Sequence, residues 1–520
     1  MICRSPHLDI SIPEIPLTAF VGHGGRDFGD KPALIDGPSG RTLSFADLAA
    51  DISKAAVGLA RRGLRKGDVF AIFAPNTPEW VVAFHAVASI GGVVTPVNSL
   101  FTVDDVSYQL NDAGARFLLT APAFMDRAVD AAERTGIEEV FVIGEAQGAT
   151  PFSSLLDENG DPPEVGIDPK EDLVVLPYSS GTTGFPKGVM LTHFNVVANI
   201  CQLLRVHRIS ASDRLIGVLP FSHIYGMVVT MSAGLCRGAT IVTMPRFDLE
   251  PFLQILQDHG VTRAHLVPPI VLALAKHPLV DNYDLSSLRL VLSGAAPLDA
   301  RLAGACEERL GIRVIQGYGL TETSPVTHMT PDDPAKNRPG SVGQLIPNTE
   351  AQVINWGTLE NLGPNRDGEI WIRGPQVMKG YLNNWEATTR TIDEDGWLRT
   401  GDIGHVDTDG YFTIVDRLKE LIKYKGYQVP PAELEAVLFS HPAVADAAVI
   451  PKPDEEAGEI PKAFIVAKGD VTTEAIMAFV ADRVASYKKI RDVEFVGEIP
   501  KSASGKILRR ILVERERSKR

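Results

Sequence analysis

"YSSGTTGFPKGVMLTH", Tyr178 to His193, packs glycine, serine and threonine around one proline and one lysine. It lies between an apolar run, Leu173 to Pro177, and a helix-like stretch from Asn195 to Leu204. By composition it reads as a loop rather than a structural element. Two physical explanations are open: a flexible connection, or a backbone cradle for a polyanion. For the cradle, glycines let backbone N–H groups approach phosphate oxygens. Ser179, Ser180, Thr182 and Thr183 add hydroxyl donors, and Lys187 adds a mobile positive charge. The spacing GTTGFPKG, residues 181 to 188, is not the GxxxxGK[ST] of a Walker A loop. On composition alone the flexible connection is the commoner outcome.

Outward from this stretch the chain alternates helical and extended patterns. "SFADLAADISKAAVGLARRGL" places apolar residues at helical spacing, while "DVFAIFA" (Asp68 to Ala74), "VVTPVN", "RFLLTA", "EEVFVIG" and "LVVLPYS" read as strands. The alternation repeats between Arg214 and Val326, which predicts parallel sheets. From about Gly340, "GSVGQLIPNTEAQVIN" and "DGEIWIRG" are short alternating segments split by turn residues, as in a small antiparallel barrel. After Asp416 a charged "DRLKE" opens a fresh unit of about a hundred residues. The predicted fold is α/β. A large N-terminal domain, 1–415, holds two parallel-sheet α/β subdomains (about 1–170 and 171–338) and a small β-barrel (339–415). A hinge at 416–420 and a small mobile α+β C-terminal lid, 421–520, follow.

Composition narrows the function classes. A chain of 520 residues is too long for one core. A net charge of -14 speaks against nucleic-acid or anionic-membrane binding, and the basic tail "RRILVERERSKR" is interrupted by acids and reads as a solvated helix end. Cys3, Cys201, Cys236 and Cys306 form no CxxC pair, as expected for free thiols in a reducing compartment without a zinc site. "MICRSPHLDISIPEIPL" lacks the continuous apolar core of a secretory signal, and the terminal "SKR" is not "SKL". The window Trp80 to Val97 is broken by His85, Ser89 and two glycines, so it reads as a buried helix-to-strand segment. The expectation is a cytoplasmic protein, monomer or weak homodimer, with no integral membrane segment and no nucleic-acid partner.

Three further segments carry chemistry. "QGYGLTETSP" (Gln316 to Pro325) sets Glu322 among hydroxyls, where a carboxylate near phosphates would need a divalent cation; its bland alternative is an acid after a glycine turn. "RTGDIG" (Arg399 to Gly404) presents Asp402 to a pair of ribose hydroxyls, or is an ordinary Asp turn. "SASGKILRR" (Ser502 to Arg510) presents Lys506 after a small-residue loop, or is a routine helix start.

Together "YSSGTTGFPKGV", "GYGLTETSP", "WLRTGD", "DRLKELIKYKGYQV" and "PKSASGKILRR" make the chain resemble the adenylate-forming superfamily, and within it the 4-coumarate:CoA ligases and similar acyl-CoA synthetases. The likeness runs from "KPALIDG" at Lys31 to the terminal lysine segment. It implies ATP, Mg²⁺ and coenzyme A acting on a small carboxylic acid in two steps, acyl-AMP and then acyl-CoA. Lys506 is then the lid lysine at the α-phosphate and Glu322 the Mg²⁺ ligand. Ser179, Ser180, Gly181, Thr182, Thr183, Gly184, Lys187 and Thr321 serve the phosphates. Asp402 and Arg417 hold the ribose, Gln316, Gly317 and Gly319 belong to the cofactor-binding set, and Tyr318 lies against adenine with its ring as a stacking face. Lys419 matches the hinge, while Lys423, Lys425, Gly426 and Gln428 match positions serving nucleotide, coenzyme A or the thioester step. Without the other motifs these lysines would read as a solvated face.

The resemblance makes His223, in "PFSHIYGM", a gate between acyl pocket and coenzyme A channel, although such a histidine is usually a core residue. Tyr225 would wall the pocket, Leu292, Ser293, Gly294 and Ala295 form its floor, and Gly319, Pro325 and Val326 complete it. Leu292 stands where plant hydroxycinnamate ligases tend to carry lysine, and Ala295 where glycine is common. Val228 and Val229 are apolar where those enzymes often place polar residues. Such a pocket suits cinnamate-like aryl acids with broad specificity or medium-chain fatty acids. A non-CoA acceptor, a luciferase-like oxidase and an inactive binding protein are further alternatives.

Overall fold

The computed structural model describes residues 1–179, 186–425, 427–454, 456–502 and 505–519. Four sheets organise them. The first runs Tyr178–Ser179, Lys187–Thr192, Leu173–Val175, Val93–Pro96, Val69–Phe73, Ala115–Thr120, Glu139–Val142, Thr150–Pro151, with Gly380–Tyr381 added along Lys187–Thr192. Val69–Phe73 is buried at all five positions, as a central parallel strand covered on both faces must be. The loop-like stretch Tyr178 to His193 is therefore flanked by structure. Lys187–Thr192 turns back antiparallel to both Tyr178–Ser179 and Leu173–Val175. The alternation of Val189 and Leu191 with their neighbours was hidden by the glycine and proline beside it.

The second sheet runs Gln344–Leu345, Val326–Met329, Arg313–Gly319, Leu290–Ser293, Arg263–Leu266, Arg214–Gly217, Thr240–Thr243, Pro32–Asp36, Thr42–Ser44. The two sheets exchange strands across residue 170. Pro32–Asp36 pairs in parallel with Thr240–Thr243, deep in the second sheet, while Leu173–Val175 and Lys187–Thr192 belong to the first. Sheet membership follows pairing rather than sequence order. The segment expected as a small barrel is a five-stranded antiparallel sheet in the order Cys3–Arg4, Glu350–Ile354, Gly368–Arg373, Leu398–Val406, Phe412–Arg417, and the first residues of the chain supply its edge. The lid carries Tyr427–Val429, Ile422–Tyr424, Gly458–Ala467 and Val444–Asp454 in sequence, with Asp492–Phe495 parallel to Gly458–Ala467.

Local chemistry sets the helices. Ser44 caps Phe45–Arg61 reciprocally with Asp47, and Thr102 caps Val103–Ala113 with Asp105 before Gly114 ends it at φ 64°. In helix Pro78–Ser89, Trp80 stacks on Phe84 at 5.5 Å and meets Phe221 edge-on at 5.6 Å, tying the helix to the second sheet's half of the chain. Among the described residues no helix is long and apolar enough to cross a membrane.

Helix His193–Val206 starts at a Thr192–Asn195 capping box directly after the hairpin. It is buried, yet three amides line it. Asn195 Nδ2 donates to the carbonyls of Pro375 and Val377, both at 2.9 Å. Asn199 donates to the Val326 carbonyl at 2.7 Å and accepts its N–H at 3.1 Å. Gln202 donates to the Pro347 carbonyl at 2.8 Å and to Gln376 Oε1 at 3.0 Å. Asn199→Leu deletes both amide hydrogen bonds to the buried Val326 backbone and should lower unfolding stability by about 2–4 kcal/mol. The urea midpoint of purified variant against parent checks this, and an unchanged midpoint would show that the strand does not depend on the amide.

Candidate active site

Two carboxylates face the site, and each is engaged by a tyrosine hydroxyl. Glu322 sits in the single helical turn Thr321–Thr323 that follows strand Arg313–Gly319. Its Oε1 accepts the Ser179 hydroxyl at 2.9 Å and the Tyr381 hydroxyl at 2.9 Å, while its carbonyl accepts the Met378 N–H at 2.9 Å. Lys187 Nζ stands 4.7 Å from the centre of the Tyr381 ring. Tyr178 is tied off separately, donating to Asp112 at 2.6 Å.

Asp402 is paired in register with Arg417 on the neighbouring antiparallel strand, Oδ1 to Nε 2.9 Å. Its Oδ2 accepts the Tyr318 hydroxyl at 2.6 Å, and its N–H donates to Thr400 Oγ1 at 3.0 Å. Burial and then the Asp402 charge push the Tyr318 hydroxyl well above its usual range, so it remains a donor. Tyr318 therefore orients a carboxylate besides offering its ring.

Lys506 arrives from the lid on a tight turn in which the Ser502 N–H donates to the Lys506 carbonyl and the Gly505 N–H to that of Ser502, both at 2.8 Å. Gly505 has φ 76°, and a Cβ there would stand 3.2 Å from the Val267 side chain of the large domain. The Lys506 side chain is solvent-accessible but walled in. Loss of solvation and then the Arg417 charge lower its pKa, opposed by Asp402, Glu322 and Glu420. Burial, and secondarily Lys506, push His223 down to about 3, so the ring is neutral near pH 7. Its Nδ1 accepts the Tyr225 N–H at 3.2 Å.

Tyr225 opens a π-helical segment, Tyr225–Ser232, a local winding that often accompanies functional sites. Its hydroxyl donates to the Leu292 carbonyl at 2.9 Å, and a Cβ on Gly294 would lie 2.9 Å from the ring. Gly319 is stricter: a Cβ would lie 1.8 Å from the Pro325 carbonyl oxygen. Ala295 has φ 69°, a left-handed conformation costing a residue with a Cβ about 1–2 kcal/mol and glycine nothing. Leu292 and Ser293 are buried, Val326 begins the next strand, and Gln316 accepts the Leu298 N–H at 3.3 Å. Behind this wall the Tyr225 ring stacks on His265, which bonds Thr230 at 2.9 Å and His207 at 3.0 Å.

Other expected residues are not gathered at this site. Ser180, Gly181, Thr182, Thr183, Gly184 and Gly426 lie outside the described residues. Lys423, Lys425 and Gln428 sit on the lid hairpin Ile422–Tyr424 and Tyr427–Val429, where Lys425 pairs with Glu456 and the Lys423 N–H donates to Glu459. Lys419 is exposed. Among the described residues no hydrogen bond or ion pair joins these four to Asp402 or Glu322.

Sequence reasoning missed a cluster where the two domains meet. Arg509 donates to Glu420 at 2.7 Å and Glu435 at 2.6 Å, and Asp416 accepts the N–H of Ala432 at 2.8 Å. Burial raises Asp416 to about 6 and Glu435 to about 7, with Arg509 opposing both shifts. Asp416 and Glu420 lie within "DRLKE" itself, and nothing in the sequence signalled that Arg509 returns to meet them and Glu435.

A family model for AMP-binding enzymes matches residues 23–382, and one for the AMP-binding enzyme C-terminal domain matches residues 433–506. The chain is 44% identical to 4-coumarate--CoA ligase 2 of Petroselinum crispum, covering 98% of this chain and 96% of that one. It is 45% identical to 4-coumarate--CoA ligase 5 of Oryza sativa subsp. japonica with the same coverage. The anthranilate CoA ligase AuaEII in complex with anthranoyl-AMP superposes with a TM-score of 0.90 at 28% identity, covering 98% of each chain. ATP-bound MatB from Rhodopseudomonas palustris gives 0.87 at 29%, covering 96% of this chain and 99% of that one. The chain belongs to the AMP-binding enzyme family. It is an AMP-forming ligase of the acid–thiol type.

Both raised carboxylates bind protons more tightly folded than unfolded, so their contribution to stability is present below about pH 4 and is lost as pH rises through about 6 to 7. Glu435→Gln removes one charge from the cluster. It should flatten that fall by on the order of 1–3 kcal/mol between pH 5 and 8. Hydrogen exchange at the lid's slowest amides reads the change, and parallel pH profiles for variant and parent would rule out the cluster as its source.

Proposed function

We propose that the protein joins a small carboxylic acid to coenzyme A through an acyl-AMP intermediate, with cinnamate- and 4-coumarate-type aryl acids as its main substrates. What supports this reading is the lid residue Gly505 beside Lys506, where a Cβ would stand 3.2 Å from Val267 of the large domain. That brings a cation, a ribose-binding pair and the acyl wall to one place.

In the first step the acid's carboxylate oxygen attacks the α-phosphorus of ATP and the bond to the bridging oxygen breaks, releasing pyrophosphate. Lys506 meets the charge building on the α-phosphate, which a fixed cation in a crowded cleft stabilises more than water does. Asp402, held by Arg417 and Tyr318, accepts the ribose hydroxyls. Glu322 fits Mg²⁺: its Oε1 is occupied by two hydroxyls, its Oε2 is free among the described residues, and one hard oxygen plus substrate phosphates suits that ion. Among the described residues no cluster of three or more His, Cys, Asp or Glu is arranged for a metal. Mg²⁺ bound there supplies charge neutralisation at the phosphates. In the second step the thiol of coenzyme A attacks the acyl carbon, AMP leaves, and a lid rotation would bring Lys423 and its hairpin to the site in place of Lys506.

The substrate class rests on Tyr225 and its apolar surroundings, Leu292, Val228 and Val229, which also admit medium-chain fatty acids. Thioester formation with cinnamate, 4-coumarate, benzoate, hexanoate and octanoate decides: cinnamates highest supports the aryl reading, and linear acids highest replaces it. Lys506→Ala should reduce acid-dependent pyrophosphate release at least a hundredfold while leaving thioester formation from supplied acyl-adenylate within a few-fold. Lys423→Ala should show the reverse bias. Equal losses in both half-reactions for folded Lys506→Ala protein would remove Lys506 from the adenylation role.

A further inference from the structure

Tyr381 belongs to none of the motifs above, yet it touches two groups that face the phosphates. Strand Gly380–Tyr381 pairs antiparallel with Lys187–Thr192, Val189 opposite Tyr381 and Met190 opposite Gly380. The Lys379 N–H donates to the Met190 carbonyl at 3.0 Å and the Leu382 N–H to that of Gly188 at 2.8 Å. This two-residue strand therefore has no freedom to slide along the hairpin. The Tyr381 N–H is fixed by Thr388 Oγ1 at 2.9 Å, and the residue is buried. From that anchored backbone the hydroxyl reaches Glu322 Oε1 at 2.9 Å and the ring face lies 4.7 Å from Lys187 Nζ.

We infer that Tyr381 is a positioning residue that aims Glu322 at the metal and seats Lys187 beside the phosphates. This rests on the assignment of Glu322 as the Mg²⁺ ligand. A carboxylate whose Oε1 accepts two hydroxyls cannot rotate without breaking both, so Oε2 is the oxygen presented to a cation. The Tyr381 hydroxyl has one hydrogen and spends it on Glu322 Oε1. The ring does separate work: its negative face holds an ammonium that would otherwise swing on four methylenes. Outer partners of this kind usually set metal affinity about 10–100-fold.

The two contacts can be separated. Tyr381→Phe keeps the ring and deletes the hydroxyl; it should weaken Mn²⁺ binding about tenfold, read by electron paramagnetic resonance titration of enzyme with α,β-methylene-ATP. Its turnover should recover at saturating Mg²⁺. Tyr381→Leu should in addition weaken metal-free α,β-methylene-ATP, measured by calorimetry in EDTA, because Lys187 loses its seat. Glu322→Gln is the reference: it should weaken Mn²⁺ by itself, and adding Tyr381→Phe to it should change nothing further. Unchanged Mn²⁺ affinity in Tyr381→Phe beside a weakened Glu322→Gln overturns the role of Tyr381 and leaves Glu322 standing. Unchanged affinity in Glu322→Gln overturns both. A further loss in the double variant marks Tyr381 as packing alone.

Discussion

The molecule hangs on the polar edge of one buried helix. Asn195, Asn199 and Gln202 of His193–Val206 reach the carbonyls of Pro375 and Val377, Val326, and Pro347: three carbonyls of segments between strands and one of the second sheet. An unpaired buried carbonyl is costly, so each amide fixes where a passing segment can lie. The helix itself begins one residue after the phosphate-side hairpin. Hairpin, pocket wall and the Tyr381 strand are thus all measured from the same rigid rod. Precision at the site comes from this shared reference more than from any single contact inside it.

An acidic protein that handles a polyanion has to manage its own carboxylates. Here Asp402 and Glu322 remain in the site, but each gives one oxygen to a tyrosine, Tyr318 and Tyr381, and each has a cation within the same group of side chains, Arg417 and Lys187. The phenols are buried against charge and so stay protonated. Among the described residues Glu322 keeps Oε2 without a partner, while Asp402 is held at both oxygens, Oδ1 by Arg417 and Oδ2 by Tyr318. Lys506, the cation we propose for the α-phosphate, comes from the C-terminal part of the chain rather than from the segment that carries Asp402 and Glu322.

Periodicity made the strands readable because each is short, apolar and bounded by turns: "VFAIF", "RLIG" and "LVLS" could be little else. The motif residues Asp402, Glu322 and Lys506 were readable through resemblance, since each alone is an ordinary turn acid or surface lysine. What escaped was pairing across distance. Nothing in "PALID" says that it will lie beside "TIVT" two hundred residues later, because parallel partners need not match in sequence. Strand Lys187–Thr192 was masked by its own glycine and by the composition of the loop before it. Tyr381 escaped for a related reason: a two-residue strand has no period, and its meaning lies wholly in the hairpin it joins. Arg509 and Glu435 escaped because their pairing spans more than seventy residues of the lid.

The interleaving of the two large sheets governs how such a chain can be made. Pro32–Asp36 leaves the ribosome early and can pair at once with Thr42–Ser44, but its parallel neighbour exists only after Thr240–Thr243 has been synthesised. The first sheet in turn waits for Gly380–Tyr381 to close its outer edge. Neither sheet can finish while the chain is short, although Val69–Phe73 has both of its ladder partners, Val93–Pro96 and Ala115–Thr120, as soon as Thr120 is made. The lid, whose four consecutive strands and Asp492–Phe495 all come from the last hundred residues, carries no such debt and can fold on its own schedule. One polypeptide therefore joins a slowly assembled body to a quickly assembled lid, and the large domain is the part whose nascent strands need shielding.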